Sequence, residues 1–132
     1  MFGRSRGRTS TQFVPLARAQ ELEELFHASH ARPVVLFLHD PHCAVSAVAR
    51  FRLRGVGGEI RVLDVAADDS LKWRIERKTG VRHESPQVLV LSEGRALWHA
   101  SHGDITAEAV QRALDAAGGA AGSTEAGDAI DR

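Results

Sequence analysis

Short apolar runs alternate along the chain with stretches whose apolar residues recur every third or fourth position, and both ends lack either pattern. Residues 1–12 are rich in Gly, Arg, Ser and Thr and read as a flexible basic arm. Over 16–29, Leu22, Leu25 and Phe26 share one helical stripe while Glu21, Glu23 and Glu24 lie off it, which predicts an amphipathic helix. Pro33 then opens Val34-Val35-Leu36-Phe37-Leu38, a continuous run that suits a strand buried on both faces. A second helix is predicted over 43–53, carrying Ala44, Val48 and Phe51 at helical spacing and stopping before Gly55-Val56-Gly57-Gly58. Residues 60–65 form the next strand. Asp68 and Asp69 are placed to cap a third helix that runs to Lys78 and ends at Gly80. Residues 87–91 and 95–100 read as a hairpin across Ser92-Glu93-Gly94. The last helix, 106–117, has Val110, Ala113, Leu114 and Ala117 as its core face. Beyond it, 118–132 is Gly, Ala, Ser and acid, and reads as a disordered tail.

The order is therefore a helix followed by β-α-β-α-β-β-α. A strand, a crossover helix and a second strand give a parallel pair with a right-handed connection, and the closing hairpin adds antiparallel strands. The expected fold is α/β: a mixed four-stranded sheet flanked by helices with an extra N-terminal helix, which is the element order of a thioredoxin-like domain over 13–117.

Composition narrows the function classes. A chain of 132 residues supports one domain with a proper core. Its 17 basic and 17 acidic residues balance, which removes the electrostatic case for a nucleic-acid or anionic-membrane partner. The first twenty residues lack the apolar centre of a signal peptide, and the longest apolar run, 34–38, is far too short to span a bilayer. A single cysteine excludes an internal disulfide framework. A monomer in the cytoplasm is the expectation.

That cysteine, Cys43, carries the candidate chemistry. It follows a buried strand and a proline-containing loop and opens a helix, where the unpaired amides and dipole favour a negatively charged thiolate. His39 and His42 lie in the same short loop, and His42 is a candidate thiolate stabiliser. The alternative is an inert, buried small hydrophobe. Three residues on, where a dithiol enzyme carries its resolving cysteine, stands Ser46, so no intramolecular disulfide can form; its hydroxyl can reach back toward the thiol or simply face solvent. Val81-Arg82-His83-Glu84-Ser85-Pro86-Gln87 precedes the third strand, where thioredoxin folds place a cis-proline facing the active cysteine; this predicts a cis Ser85–Pro86 bond and a substrate ledge. His99-Ala100-Ser101-His102-Gly103-Asp104 joins the last strand to the last helix, near the cysteine loop in this fold. There Gly103 permits close backbone approach, and Asp104 or Thr106 can cap the helix. Seven histidines and one cysteine raise the question of a metal, but no Cys-x-x-Cys or His-Glu-x-x-His spacing occurs, and none is expected.

Leu38-His39-Asp40-Pro41-His42-Cys43-Ala44-Val45-Ser46 resembles the thiol motif of the monothiol bacilliredoxin-like (YtxJ-type) family of thioredoxin-fold proteins. The stretches Gly80-Val81-Arg82-His83-Glu84-Ser85-Pro86-Gln87-Val88 and Trp98-His99-Ala100-Ser101-His102-Gly103-Asp104-Ile105-Thr106 resemble it more closely still. Leu38 departs from a lysine, Ala44 from a proline and Gly103 from a bulky aromatic. The resemblance implies a monothiol thiol–disulfide oxidoreductase that removes a low-molecular-weight thiol of bacillithiol type from S-thiolated cytosolic proteins. On this reading Cys43 is the nucleophile, His83, Ser85, Pro86, His102 and Gly103 line the substrate site, the small thiol is a co-substrate, and no cofactor is held. The competing reading is a non-catalytic thioredoxin-fold adaptor in which Cys43 is passive.

Overall fold

The computed structural model describes residues 10–67 and 69–123; the start of the predicted arm, Asp68 and the end of the predicted tail lie outside them. Among these residues, five strands and four helices follow in the order β1 (Thr11–Pro15), α1 (Ala19–Ala28), β2 (Val34–His39), α2 (Ala44–Leu53), β3 (Gly58–Asp64), α3 (Ser70–Thr79), β4 (Gln87–Ser92), β5 (Arg95–Ser101) and α4 (Ala107–Ser123), with a 3₁₀ turn at His102–Asp104 before α4. The sheet order is β1-β3-β2-β4-β5. β3 is parallel to β1 and β2, while β4 is antiparallel to both β2 and β5.

The two faces of β2 explain the layers. Val34, Leu36 and Leu38 join Leu22, Leu25, Leu71 and Ile75 on the α1/α3 side. Val35 and Phe37 join Ala49, Leu53, Val110 and Ala113 on the α2/α4 side. An unbroken apolar run is what a strand needs when helices cover both of its faces.

The structure departs from the sequence expectations in three places. The sheet has five strands instead of four, because Thr11 and Gln12 of the predicted arm belong to β1, with Phe13 opposite Ile60. Nothing local marks this short edge strand. It is held by its ladder with β3 and by Thr11 Oγ1, which donates to the Arg54 carbonyl at 2.7 Å and accepts from Gly57 N–H at 3.0 Å. α4 runs to Ser123, past the predicted end at Ala117, through Gly118-Gly119-Ala120-Ala121-Gly122, whose three glycines carry low helical propensity and so give no sequence signal for the extension.

The third departure turns α2 around its axis. Ala44, Val48 and Phe51 face outward, with Val48 49% and Phe51 67% exposed, whereas Ser46, Ala49 and Leu53 face the sheet. The inward stripe is built from a serine, an alanine and one leucine. Small side chains bring the helix close to the sheet but give a weak apolar signal.

The β4–β5 hairpin closes through Glu93 and Gly94, both at positive φ (57° and 75°), the backbone that a two-residue type I′ turn requires. Its tip docks on the end of α1: Glu93 N–H donates to the Ser29 carbonyl and Gly94 N–H to Ser29 Oγ.

The orientation of α2 is directly testable. Leu53→Ala should lower the unfolding free energy by about 2–5 kcal/mol, as large-to-small core changes do. Phe51→Ala should stay within about 0.5 kcal/mol, as surface changes do. Urea denaturation of the two variants measures both, and equal losses would contradict this placement of the helix.

Candidate functional site

β2 leads straight into the site. Its last residue, His39, is followed by Asp40-Pro41-His42, a turn closed by two hydrogen bonds to Asp40. His42 N–H donates to Asp40 Oδ1 at 2.9 Å, and Cys43 N–H donates to the Asp40 carbonyl at 3.1 Å. Cys43 is the N-cap of α2, extended at φ −109° and ψ 126°, and its carbonyl accepts the Ala47 N–H. The cysteine is free and partly exposed. No side chain caps this helix and no acid stands in its first turn, so an anionic sulfur at the N-cap would meet the amide dipoles without a competitor.

Ser46 is fully buried and turned toward the strand. Its oxygen lies 2.6 Å from His39 Nδ1 and accepts the Asp40 N–H at 3.0 Å. The expectation that this hydroxyl serves the thiol is therefore corrected. It fastens the strand end and loop to the first turn of α2, and so positions the cysteine instead of touching the sulfur. His39, read in the sequence only as a loop neighbour, is its partner. The ring stacks on Phe37 at 5.0 Å. Burial holds its pKa below the ordinary imidazole value; the Arg50 guanidinium adds to this, and Asp64 and Asp40 oppose it. His42 is exposed, and its side chain makes no hydrogen bond or ion pair among the described residues.

The second wall is the segment before β4. The Ser85–Pro86 bond is cis, as the sequence predicts. Leu38 pairs with Gln87 across the β2/β4 ladder, which sets Pro86 beside the end of β2, from which the cysteine loop departs. Gln87, almost fully buried, braces the segment: its Nε2 donates to the Arg82 carbonyl at 2.9 Å and its Oε1 accepts the Glu84 N–H at 3.4 Å. His83 N–H donates to Glu76 Oε1 at 2.8 Å, and its ring meets Trp73 edge-on. Burial again lowers the imidazole pKa, with Lys72 reinforcing the effect and Glu76, Asp69 and Glu84 opposing it. The Ser85 backbone makes no backbone hydrogen bond among the described residues, and Ser85 Oγ and His83 Nδ1 are buried without partners. That leaves unpaired backbone at the sheet end, just before β4, where a polypeptide can add by strand pairing.

His102 and Gly103 form the third wall. His102, at φ 53°, donates its N–H to the Pro86 carbonyl at 3.1 Å, and its Nδ1 lies 3.5 Å from Glu84 Oε1. The Gly103 carbonyl accepts from Arg52 at 3.3 Å, which ties the turn to the outer half of α2 rather than to the thiol. A side chain at Gly103 would meet nothing within 4 Å. The residues singled out in the sequence thus gather at one end of the sheet. The bracing residues His39 and Gln87 went unseen because their partners are set by strand register. Among the described residues, no three His, Cys, Asp or Glu side chains cluster as a metal site requires, and no helix is long and apolar enough to cross a membrane.

Two measurements test this bracing. Ser46→Ala leaves the part-buried Asp40 N–H without its acceptor and should cost about 1 kcal/mol of stability. His39 and His83 are both harder to protonate in the folded chain than at the ordinary value of 6.5. The unfolded chain therefore takes up more protons as pH falls through 6.5, so stability is complete above that value and declines below it. Denaturation midpoints followed downward from neutral pH should show the decline, and His39→Asn should make it shallower.

Solved structures share this architecture. A thioredoxin-fold protein proposed to be an oxidoreductase superposes with a TM-score of 0.70 at 25% identity, over 76% of this chain and 92% of that one. The thioredoxin of Trypanosoma brucei brucei gives 0.64 at 10% identity, over 88% and 96%. That of Malassezia sympodialis gives 0.62 at 11%, over 80% and 90%. At such identities the two thioredoxins speak for the fold alone. The profile of the monothiol bacilliredoxin BrxC family matches residues 14–110, a span that takes in β2, the thiol, the cis-proline segment and the His102–Gly103 turn. The chain therefore belongs to the monothiol bacilliredoxin family, and its role is of the thiol-oxidoreductase type.

Proposed function

We propose that this protein is a monothiol thiol–disulfide oxidoreductase that strips a low-molecular-weight thiol, of bacillithiol type, from mixed disulfides on cytosolic proteins. One observation carries the reading: the only cysteine in the chain stands, partly exposed, at the uncapped N-terminus of α2, with serine at the position where a second thiol would resolve it. The small thiol enters as co-substrate, with no cofactor resident. The cytosol supplies both it and its S-thiolated clients, and a monomer suffices.

The cycle needs one thiol. The Cys43 thiolate attacks the small-thiol sulfur of the mixed disulfide. That S–S bond breaks as the new one forms, and the client sulfur leaves as thiolate and takes a proton from water. Cys43 is left joined to the small thiol. A second small-thiol molecule attacks as thiolate, forms the symmetrical small disulfide and returns Cys43 to its reduced state. Two thiols have become one disulfide and the client disulfide two thiols, so electrons balance with no other oxidant or reductant. His83, Ser85 and Pro86 offer the backbone ledge for the client segment, with His102 bracing Pro86 and Gly103 leaving the rim open. His42 is next to Cys43 in the chain, and its exposed side chain, unbonded among the described residues, is available to a thiolate or leaving group.

A client protein carrying a labelled small thiol on one cysteine tests the cycle. Wild-type protein with added free thiol should release the label catalytically, and without free thiol it should stop after one turnover with the adduct mass on Cys43. Cys43→Ser should reduce release to the uncatalysed rate. No release by the wild type across several small thiols would favour the adaptor reading.

A further inference from the structure

The ledge lies on the β4 side of the cysteine loop; on the β1 side Pro41 of that loop borders a furrow that the cycle above leaves unused. Cys43, Ala47, Arg50, Phe51 and Arg54 recur at helical spacing and so share one side of α2. Along that side runs a cleft of about 220 Å³ bordered by Pro41, Ala47, Arg50, Phe51 and Arg54. It continues across the sheet into a second cleft of about 290 Å³ with Phe13 and Val62 as its apolar floor and His39, Pro41, Arg50 and Asp64 around it. Phe13 comes from β1, the strand invisible in the sequence.

Charge identifies the occupant. The Arg50 guanidinium lies 4.1 Å above the Phe13 ring and that of Arg54 lies 5.3 Å from Phe51, yet neither forms an ion pair with a carboxylate among the described residues. Asp64, the one acid in the lining, has its Oδ1 taken by the N–H groups of Ala66 and Ala67. Two guanidinium groups held by aromatic rings, with hydrogen-bonding edges free, are suited to a carboxylate. A few hundred cubic ångströms is small-molecule size, too little for a folded partner.

Accepting the exchange reading above, we infer that this furrow seats the small thiol while it is joined to Cys43, and that Arg50 and Arg54 select thiols bearing a carboxylate. Client and small thiol then lie on opposite flanks of the sulfur. The apolar floor takes the carbon skeleton, and the arginines take the anion. Pro41, two residues before Cys43, borders both clefts together with Arg50, so the furrow runs from the cysteine loop to the guanidinium.

The test compares symmetrical disulfides of one shape and different charge: dithiodipropionate, and its diamide. The reduced full-length protein attacks either by simple exchange: one S–S bond breaks, Cys43 gains a mixed disulfide, and one small thiolate is released. Intact-mass kinetics report the rate. At low salt the carboxylate should react roughly tenfold faster than the amide, and salt near 1 M should erase the difference. Arg50→Gln should reduce the preference to about twofold or less and Arg54→Gln should weaken it, with the circular dichroism spectra of both variants as the control for folding. Arg50→Lys should recover part of it, since a point charge replaces a planar fork. Equal rates for both disulfides on a reactive Cys43, or a preference that survives both arginine variants, would overturn the furrow and leave the exchange reading intact. Failure of Cys43 to react with either would overturn both. A disulfide of an acidic cysteine-containing peptide, run in parallel, covers the other occupant: an arginine-dependent preference seen only there would assign the furrow to the client.

Discussion

The arrangement rests on the burial of β2 on both faces. Five consecutive apolar residues, Val34 to Leu38, leave no side for water, so helices must pack above and below. Those helices need crossovers, the crossovers make β3 parallel to β2, and the opposite edge of β2 is left for the antiparallel β4. The first residue that can escape this double burial is His39, at the strand's end. The chain turns there, and the site is built where the sandwich stops.

Once the strand ends, polar bonding takes over from packing. Asp40 accepts from His42 and Cys43, and its own N–H goes to Ser46. The serine is therefore worth more inside the helix face than an apolar residue of its size would be. A buried hydroxyl with two partners fixes the strand end, the turn and the helix as one unit, whereas an apolar substitute would leave the part-buried Asp40 N–H unpaired. The same side chain fills the place of a second thiol, so one residue both holds Cys43 in position and denies it an internal disulfide.

Cys43 stands between two unlike surfaces. On the β4 side, Ser85 presents unpaired backbone held by Gln87, Glu76 and His102, a polar edge that suits extended polypeptide. On the β1 side, Phe13, Val62, Arg50 and Arg54 form an apolar furrow with a cationic rim. Thiol–disulfide exchange requires the attacking sulfur to meet two groups in line, one arriving and one departing. A thiol set between two surfaces of different chemistry can hold those groups apart and tell them from each other.

The sequence by itself determined the features that local physics controls. A run of β-branched and aliphatic residues made β2, helical spacing of leucines made α1, Glu93-Gly94 made the hairpin turn, and Gly80 ended α3 at positive φ. The positions of Cys43 at a helix start and of Pro86 at a strand start followed from those elements, and with them the family. What only the tertiary structure decided depends on register and close approach. β1 exists because β3 offers an edge to Thr11–Pro15, and five residues beside a basic arm carry no such instruction. The buried face of α2 departs from its apolar spacing because the stripe against the sheet uses the small Ser46 and Ala49, while Val48 and Phe51 stand in solvent. The pairing of Ser46 with His39, and the gathering of Phe13, Arg50 and Pro41 into one furrow, join residues whose separation in the chain says nothing of their contact. Periodicity records which residues avoid water; only the packed sheet records which polar groups meet.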